Sequence, residues 1–268
     1  MTIPNIIIMS SGKGGIGKTT VCCALADILD IISKPYQLTQ VDDQDRLPKL
    51  YPDKVTTIQI EKLNQTRRDP NAIIKIFDPL YALLEQSAGK DIITIIDVGA
   101  TQQHALLQYA GLTDLDEDLT ELQLNCLWLV PCTAEPESMR QAVTTFNSAG
   151  KTLPSINRMI VLNERDGKFE FYPNSPAELI WQKELRSLIA DHGSITIEQI
   201  PAGSWLPFEA AGMRFLDVIS ASIPDIQKLI GVSRPEAKVI RGDVSAWMAN
   251  TLDTVTELFN LNIEGDSE

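Results

Sequence analysis

The stretch IIIMSSGKGGIGKTT, residues 6–20, decides how the rest of the chain is read. Its first four residues are continuously apolar, as expected of a central parallel strand covered on both faces. An amphipathic helical pattern follows Thr19, and between the two lies Gly12-x-x-x-x-Gly17-Lys18-Thr19. This is the G-x-x-x-x-G-K-[ST] pattern in the strand–loop–helix setting where it carries a mechanism. Gly12, Gly14, Gly15 and Gly17 allow backbone angles that turn successive N–H groups toward an anion. The following helix presents its positive end to the same anion. Lys18 is placed to reach the β- and γ-phosphates of a nucleotide, and the Thr19 hydroxyl to ligate Mg²⁺. Gly12, Gly14, Gly15, Ile16, Gly17, Lys18, Thr19 and Thr20 are therefore the candidate nucleotide contacts.

Outward from this loop, apolar β-rich stretches alternate with helical ones. The spacing predicts strands at Ile3–Met9, Gln37–Val41, Thr56–Ile60, Ile92–Asp97, Asn125–Val130, Arg158–Leu162 and Ile195–Ile200, with helices near 18–32, 70–88, 101–111, 135–149 and 176–191. That alternation predicts the α/β class: a mostly parallel twisted sheet with helices on both faces. The segment 168–176, KFEFYPNSP, alternates apolar and polar residues and is open to a short extra strand or hairpin. Trp247, Leu252, Val255, Leu258 and Phe259 recur at helical spacing over 243–261, and their acidic opposite face favours core packing over membrane anchoring. With no repeat or linker, 268 residues are expected to form one domain: a nucleotide-contacting core over about 3–220, packing helices over about 221–261 and an acidic tail at 262–268.

Composition narrows the classes. Hydrophobic residues at 44% and charged residues at 22% suit a chain that buries a real core. The net charge of −13 argues against coating a polyanion, and the tight basic pair Arg67-Arg68 reads as a solvated face. DNA contact through cations gathered from distant segments stays open. No apolar run reaches the ~18 residues of a membrane span. MTIPNIII lacks the basic flank of a signal peptide. Cys22, Cys23, Cys126 and Cys132 show neither metal nor disulfide spacing and read as buried small hydrophobes, so a reducing cytoplasm is the expected location. His104 and His192 are isolated and read as structural or exposed rather than catalytic.

Asp97 closes the apolar run IITIID, a carboxylate at the carboxyl end of a strand beside the phosphate loop. There it is a candidate Mg²⁺ holder, acting through water, or alternatively a helix cap.

Lys13 extends the loop to KGGIGKTT, which resembles the deviant Walker A signature KGGxGK[ST][ST] of the ParA/MinD family of P-loop ATPases. The resemblance implies that Lys13 crosses a subunit interface to the partner's nucleotide, so that two ATP molecules are enclosed in a homodimer. A solvated loop lysine is the plainer alternative. In VDDQDRL, 41–47, the family's D-x-D position falls on Asp42 and Gln44, or, shifted by one, on Asp43 and Asp45. On the first alignment Asp42 stands near the Mg²⁺ shell and Gln44 near the attacking water. Glutamine can orient water but cannot take its proton, which implies slow or partner-dependent hydrolysis. Gly99 in DVGA resembles the family's γ-phosphate-sensing switch. Asn163 stands where MinD-like proteins carry an adenine-reading asparagine, with a turn or cap as the alternative. IPAGSWLPFEAAG, 200–212, resembles the loop that packs on the base, with Pro201 and Ala202 as contacts and Trp205 either stacking or buried. LVPCTAEPES, 129–138, resembles the strand and loop that line the dimer interface.

The function this implies is an ATP-driven switch in plasmid or DNA partition, conjugal transfer or cargo positioning, with a protein adaptor or activator. A membrane-docking role needs a basic C-terminal helix, and NIEGDSE has the wrong charge. Iron–sulfur relatives need paired cysteines, and the tail-anchor-targeting relatives a Met-rich subdomain; neither is evident here. Two other classes remain: a small-molecule synthetase or kinase of the same fold, and a weakly hydrolysing nucleotide sensor.

Overall fold

The computed structural model describes residues 1–42, 46–60 and 71–261. Gln44 with its neighbours Asp43 and Asp45, the Arg67-Arg68 pair and the acidic tail lie outside the described residues. Seven strands form one sheet: β1 Ile6–Met9, β2 Tyr36–Val41, β3 Val55–Ile58, β4 Ile93–Val98, β5 Cys126–Cys132, β6 Asn157–Asn163 and β7 Ser194–Ile197. Their order is β3-β2-β4-β1-β5-β6-β7, and every pairing is parallel. β1 is therefore central, hydrogen-bonded to β4 on one side and β5 on the other, which explains its unbroken apolar run.

Side-chain alternation along the strands divides the core between two faces. Ile7, Met9, Ile95, Leu129 and Val161 point into one cluster with Val21, Leu25 and Ile28 of α1 (Lys18–Ile31). The same cluster takes in Phe208 of α9 (Ala202–Ala210), Phe215 of α10 (Phe215–Ser220), Ile226 of α11 (Ile223–Ile230) and Val244 and Trp247 of α12 (Arg234–Phe259). Ile6, Ile8, Ile96, Trp128 and Ile160 point the other way, against Phe77 of α3 (Ala72–Gly89), Leu106 and Tyr109 of α4 (Gln103–Leu112), Leu119 of α5 (Leu115–Glu121) and Phe146 of α6 (Pro136–Thr152). The expected sheet with helices on both faces is the observed one.

Several elements differ from the sequence reading. β1 is shorter than Ile3–Met9, and β7 ends at Ile197 rather than Ile200. The short helices α2 (Arg46–Leu50) and α5 were not expected. α12 begins at Arg234, well before the apolar spacing suggested, because Ser233 caps it by accepting from the Glu236 N–H at 3.4 Å. Among the described residues, 168–176 contains no strand. The neighbouring strand β6 already has β5 and β7 on its two edges. Phe169 and Phe171 instead pack on Trp181, with ring centroids 5.6 and 5.9 Å away. Trp181 lies in a π turn (Trp181–Leu185) between α7 (Pro176–Ile180) and α8 (Arg186–His192).

The face carrying Trp247, Val255 and Phe259 is buried in the core, with Leu252 and Leu258 packed against it, as its acidic opposite face suggested. All four cysteines are free and buried. Burial pushes the thiols of Cys23, Cys126 and Cys132 up to about 12, too high for nucleophile or redox work at neutral pH. Among the described residues, no helix is long and apolar enough to cross a membrane.

Candidate functional site

The loop between β1 and α1 lies at the carboxyl end of the central strand, where β1 is flanked by β4 and β5. That is where a crevice opens in a parallel α/β sheet. Gly17 shows why glycine is needed: its φ of 86° is left-handed, and a Cβ there would lie 2.5 Å from Asn163 Nδ2. The approach is close because Asn163, at the end of β6, donates to the Ile16 carbonyl at 2.8 Å. Its Oδ1 accepts from the Arg165 N–H at 3.3 Å. Arg165 in turn donates to the Gly15 carbonyl at 2.6 Å. Asn163 and Arg165 thus brace the loop from behind by holding two consecutive carbonyls.

Gly12 differs from the expected cradle role, since its N–H donates to Thr145 Oγ1 at 3.1 Å. Thr145 donates to Gln103 Oε1, which also accepts from Ser10 Oγ, both at 3.0 Å. The first loop amide is therefore tied to α6 and to the start of α4. Ile16 is buried, so its part in the loop is through its backbone and packing.

Lys18 opens α1 at 8% exposure and donates to the Lys13 carbonyl at 2.9 Å. Burial lowers its pKa, while Asp97 and Asp42 act to hold it up. Thr19 Oγ1 donates to Asp97 Oδ2 at 2.6 Å, joining the loop to the end of β4. Burial raises the Asp97 carboxyl to about 6 against the restraining effects of Thr19 and Lys18. Asp42 lies across from them: a Cβ on Gly99 would meet its Cγ at 2.8 Å, and the Gly99 N–H donates to the Val41 carbonyl at 2.9 Å.

These groups line one cavity of about 520 Å³, within the usual range for small-molecule sites. Gly14, Gly15, Gly17, Thr19, Thr20, Asp42 and Asp97 line it together with Asn163 and the apolar side chains of Ile197, Trp205, Leu206 and Trp247. Trp205 is buried and stacked on Phe215, with centroids 4.1 Å apart and planes at 19°. Pro201 is exposed at the head of α9, and the cavity reaches this segment at Ile200, Trp205 and Leu206. Ala202 opens the same helix. Lys13 stands on the loop's outer side, 36% exposed, with its ammonium 3.2 Å from Glu135 Oε2 at the start of α6.

The donor set fits Mg²⁺: a hydroxyl and carboxylates are hard oxygen ligands, and the ion normally completes its shell with phosphate and water. Among the described residues there is no group of three or more His, Cys, Asp or Glu side chains that would hold a metal unaided. Sequence reasoning missed Arg46, Gln103, Thr145 and Arg165. Gln103 and Thr145 reach the loop from distant segments, while Arg46 and Arg165 stand four and two residues beyond the candidates Asp42 and Asn163 and carry no motif of their own.

A parallel α/β P-loop fold is the class that this sheet order and loop position define. No family model and no curated protein sequence matches the chain. Among solved structures it is similar to the MinD cell division protein of Aquifex aeolicus, at 15% identity and a TM-score of 0.48, covering 91% of this chain and 97% of that one. A chain of the MinC:MinD complex from the same organism gives 14% identity and a TM-score of 0.47, covering 91% of this chain and 96% of that one. A plasmid partition protein from Borrelia burgdorferi gives 16% identity and a TM-score of 0.39, covering 73% and 90% respectively.

Proposed function

We propose that the chain is a ParA-like ATPase that binds Mg·ATP, dimerises around two nucleotides and uses that state change to position a cargo. Partition of a plasmid or other DNA, conjugal transfer and positioning of a protein assembly are the roles it would serve, through a protein adaptor or activator. The observation that carries the reading is the Thr19–Asp97 pair at 2.6 Å beside the buried Lys18 ammonium. A hydroxyl, a carboxylate and a buried ammonium line one cavity there, the groups that would serve Mg²⁺ and phosphate. When bound, Mg²⁺ would neutralise charge on the outer phosphates. Lys18 would bind their oxygens, Asp42 and Asp97 would orient the metal's water, and the cavity's apolar lining would take the base, with Asn163 beside it.

Lys13 is the residue on which the switch turns. Its exposed pairing with Glu135 is worth roughly 0–1 kcal/mol, and little more than that opposes its transfer to a partner's nucleotide. A charge-assisted hydrogen bond from a lysine to phosphate contributes about 1.5–3 kcal/mol. Two such contacts per dimer approach the ~5.5 kcal/mol needed to move a two-state equilibrium from 1:99 to 99:1. ADP, lacking the γ-phosphate, forfeits them, so the dimer would form with the triphosphate and fall apart after hydrolysis.

The test is calorimetric titration with ATPγS, with and without Mg²⁺, on the native chain and on Asp97→Asn. The native chain is expected to bind at least ten-fold more tightly with Mg²⁺, and Asp97→Asn to lose most of that gain. Without nucleotide, the same substitution is expected to stabilise the fold at pH 7.5. A carboxyl raised to about 6 in the folded state binds its proton more tightly there than in the unfolded chain. Stability therefore falls as pH rises from about 4 to about 6, and the deficit persists above that range. Asp97→Asn should remove about 1–3 kcal/mol of it and flatten that part of the pH profile. Binding that ignores Mg²⁺ in both proteins would reject the reading.

A further inference from the structure

One cation in the cavity has no part in the account above. Arg46 opens α2, four residues beyond Asp42, and lines the same cavity as Lys18 and Thr19. It is near enough to Asp97 to act against protonation of that carboxyl, so its charge is felt beside Lys18 and Thr19. Its Nη1 nevertheless lies 2.6 Å from Glu209 Oε1, on the far helix α9. The pair therefore joins the helix that follows Asp42 to the helix that carries Trp205 and Leu206. The two side chains are 34% and 31% exposed, so water screens the attraction and the exchange of one anion for another is cheap.

A guanidinium is always charged and presents a fixed fork of donors that matches phosphate oxygens. Phosphoryl transfer also gains from a further cation at the outermost phosphate, where charge spreads over three oxygens. We propose that Arg46 is a γ-phosphate ligand held in reserve by Glu209: a triphosphate draws the guanidinium off Glu209, whereas a diphosphate leaves the pair closed. Arg46 then sets the preference for the triphosphate, and its release also frees α9 from α2. The inference rests on the cavity being the Mg·nucleotide site.

The competing account is a strut, a surface ion pair that holds α2 and α9 together whatever is bound. The two accounts assign opposite effects to Glu209. Calorimetric titration of the whole chain with Mg·ATPγS and Mg·ADP separates them, using Arg46→Ala, Arg46→Lys and Glu209→Gln. Arg46→Ala is expected to weaken Mg·ATPγS about ten-fold or more and Mg·ADP less than about two-fold. Arg46→Lys should recover part of that loss, since it restores the charge without the fork. Glu209→Gln, by removing the competing anion, should tighten Mg·ATPγS a few-fold and leave Mg·ADP unchanged.

Equal losses for both nucleotides in Arg46→Ala, or no loss for either, would overturn the proposal. So would a Glu209→Gln variant that weakens Mg·ATPγS as Arg46→Ala does, which is the signature of a strut. Should Arg46→Ala fail to fold, Arg46→Lys and Glu209→Gln still carry opposite expectations. A native chain that binds neither nucleotide would instead reject the cavity reading itself, before any variant is compared.

Discussion

Lys18→Ala is expected to raise the dissociation constant for Mg·ATPγS by at least about a hundred-fold. The ammonium sits at 8% exposure among Asp97, Asp42 and the loop, where water screens it little. Two charge-assisted bonds to phosphate oxygens, at about 1.5–3 kcal/mol each, make a loss of 3 kcal/mol or more, which is two orders of magnitude or beyond. Folding should respond quite differently. Among the described residues the ammonium has one hydrogen bond, to the Lys13 carbonyl, and burial already penalises its charge. Losing the bond and losing the penalty oppose each other, so the unfolding free energy should move by no more than about 1 kcal/mol. Calorimetry and denaturant unfolding on the same preparation check both halves. Binding within a few-fold of the native chain would mean that the loop does not hold phosphate through Lys18.

Arg214→Ala is expected to show the reverse pattern, a large loss of stability. Asp27 lies on α1, the helix that Lys18 begins, and is fully buried. Its Oδ1 accepts from Arg214 Nε at 2.9 Å and Nη2 at 2.6 Å and from the Tyr51 hydroxyl at 2.8 Å, while Oδ2 accepts from the Leu216 N–H at 3.1 Å. Arg214 also bridges to Asp30, and its guanidinium lies over the Tyr51 ring, 4.3 Å from the centroid. Burial pushes the Asp27 carboxyl up, and these donors act to hold it down. Removing one partner of a buried pair typically costs 3–5 kcal/mol, because the charge left behind is uncompensated. Two donors would remain to Asp27, and Arg214 is 21% exposed, which places the expected loss near the lower end, about 3 kcal/mol. For a chain of this length that is a fall in Tm of roughly 6–12 °C. Pairing Arg214→Ala with Asp27→Asn should recover part of the loss, since the penalty is the unpaired charge rather than the missing side chain. A loss below 1 kcal/mol in chemical unfolding would show that the pair is not what anchors α1 to α10.

These two residues also mark what was legible in the sequence. The phosphate loop was readable because its chemistry is local: Gly12 to Thr19 are consecutive, and the flanking strand and helix declare themselves by burial period. Central strands were readable for the same reason, since IIIM and ITIID face apolar layers on both sides. Pairs such as Asp27–Arg214 and Arg46–Glu209 were not, because nothing in an arginine or a glutamate far along the chain says which partner the fold will bring to it. Asn163 stood out as an amide at a strand end, but its role as a brace depends on where the Ile16 carbonyl comes to rest. KFEFYPNSP misled because alternation reports which side chains share a face, and Phe169 and Phe171 share one by packing on Trp181 rather than by joining the sheet. The starts of α11 and α12 were within reach: Ser222 and Ser233 each cap a helix three residues before an acidic residue, a signal independent of apolar period.

The central claim, a nucleotide-dependent dimer worked by Lys13, is tested most directly by solution mass. Light scattering should be measured without nucleotide, with Mg·ADP and with Mg·ATPγS, on the native chain and on Lys13→Ala. The account predicts the 29.6 kDa monomer in the first two states and twice that mass with the triphosphate analogue. It predicts that Lys13→Ala stays monomeric in all three while still binding nucleotide. A native chain that binds Mg·ATPγS tightly yet remains a monomer, or a Lys13→Ala variant that dimerises as the native chain does, would contradict it.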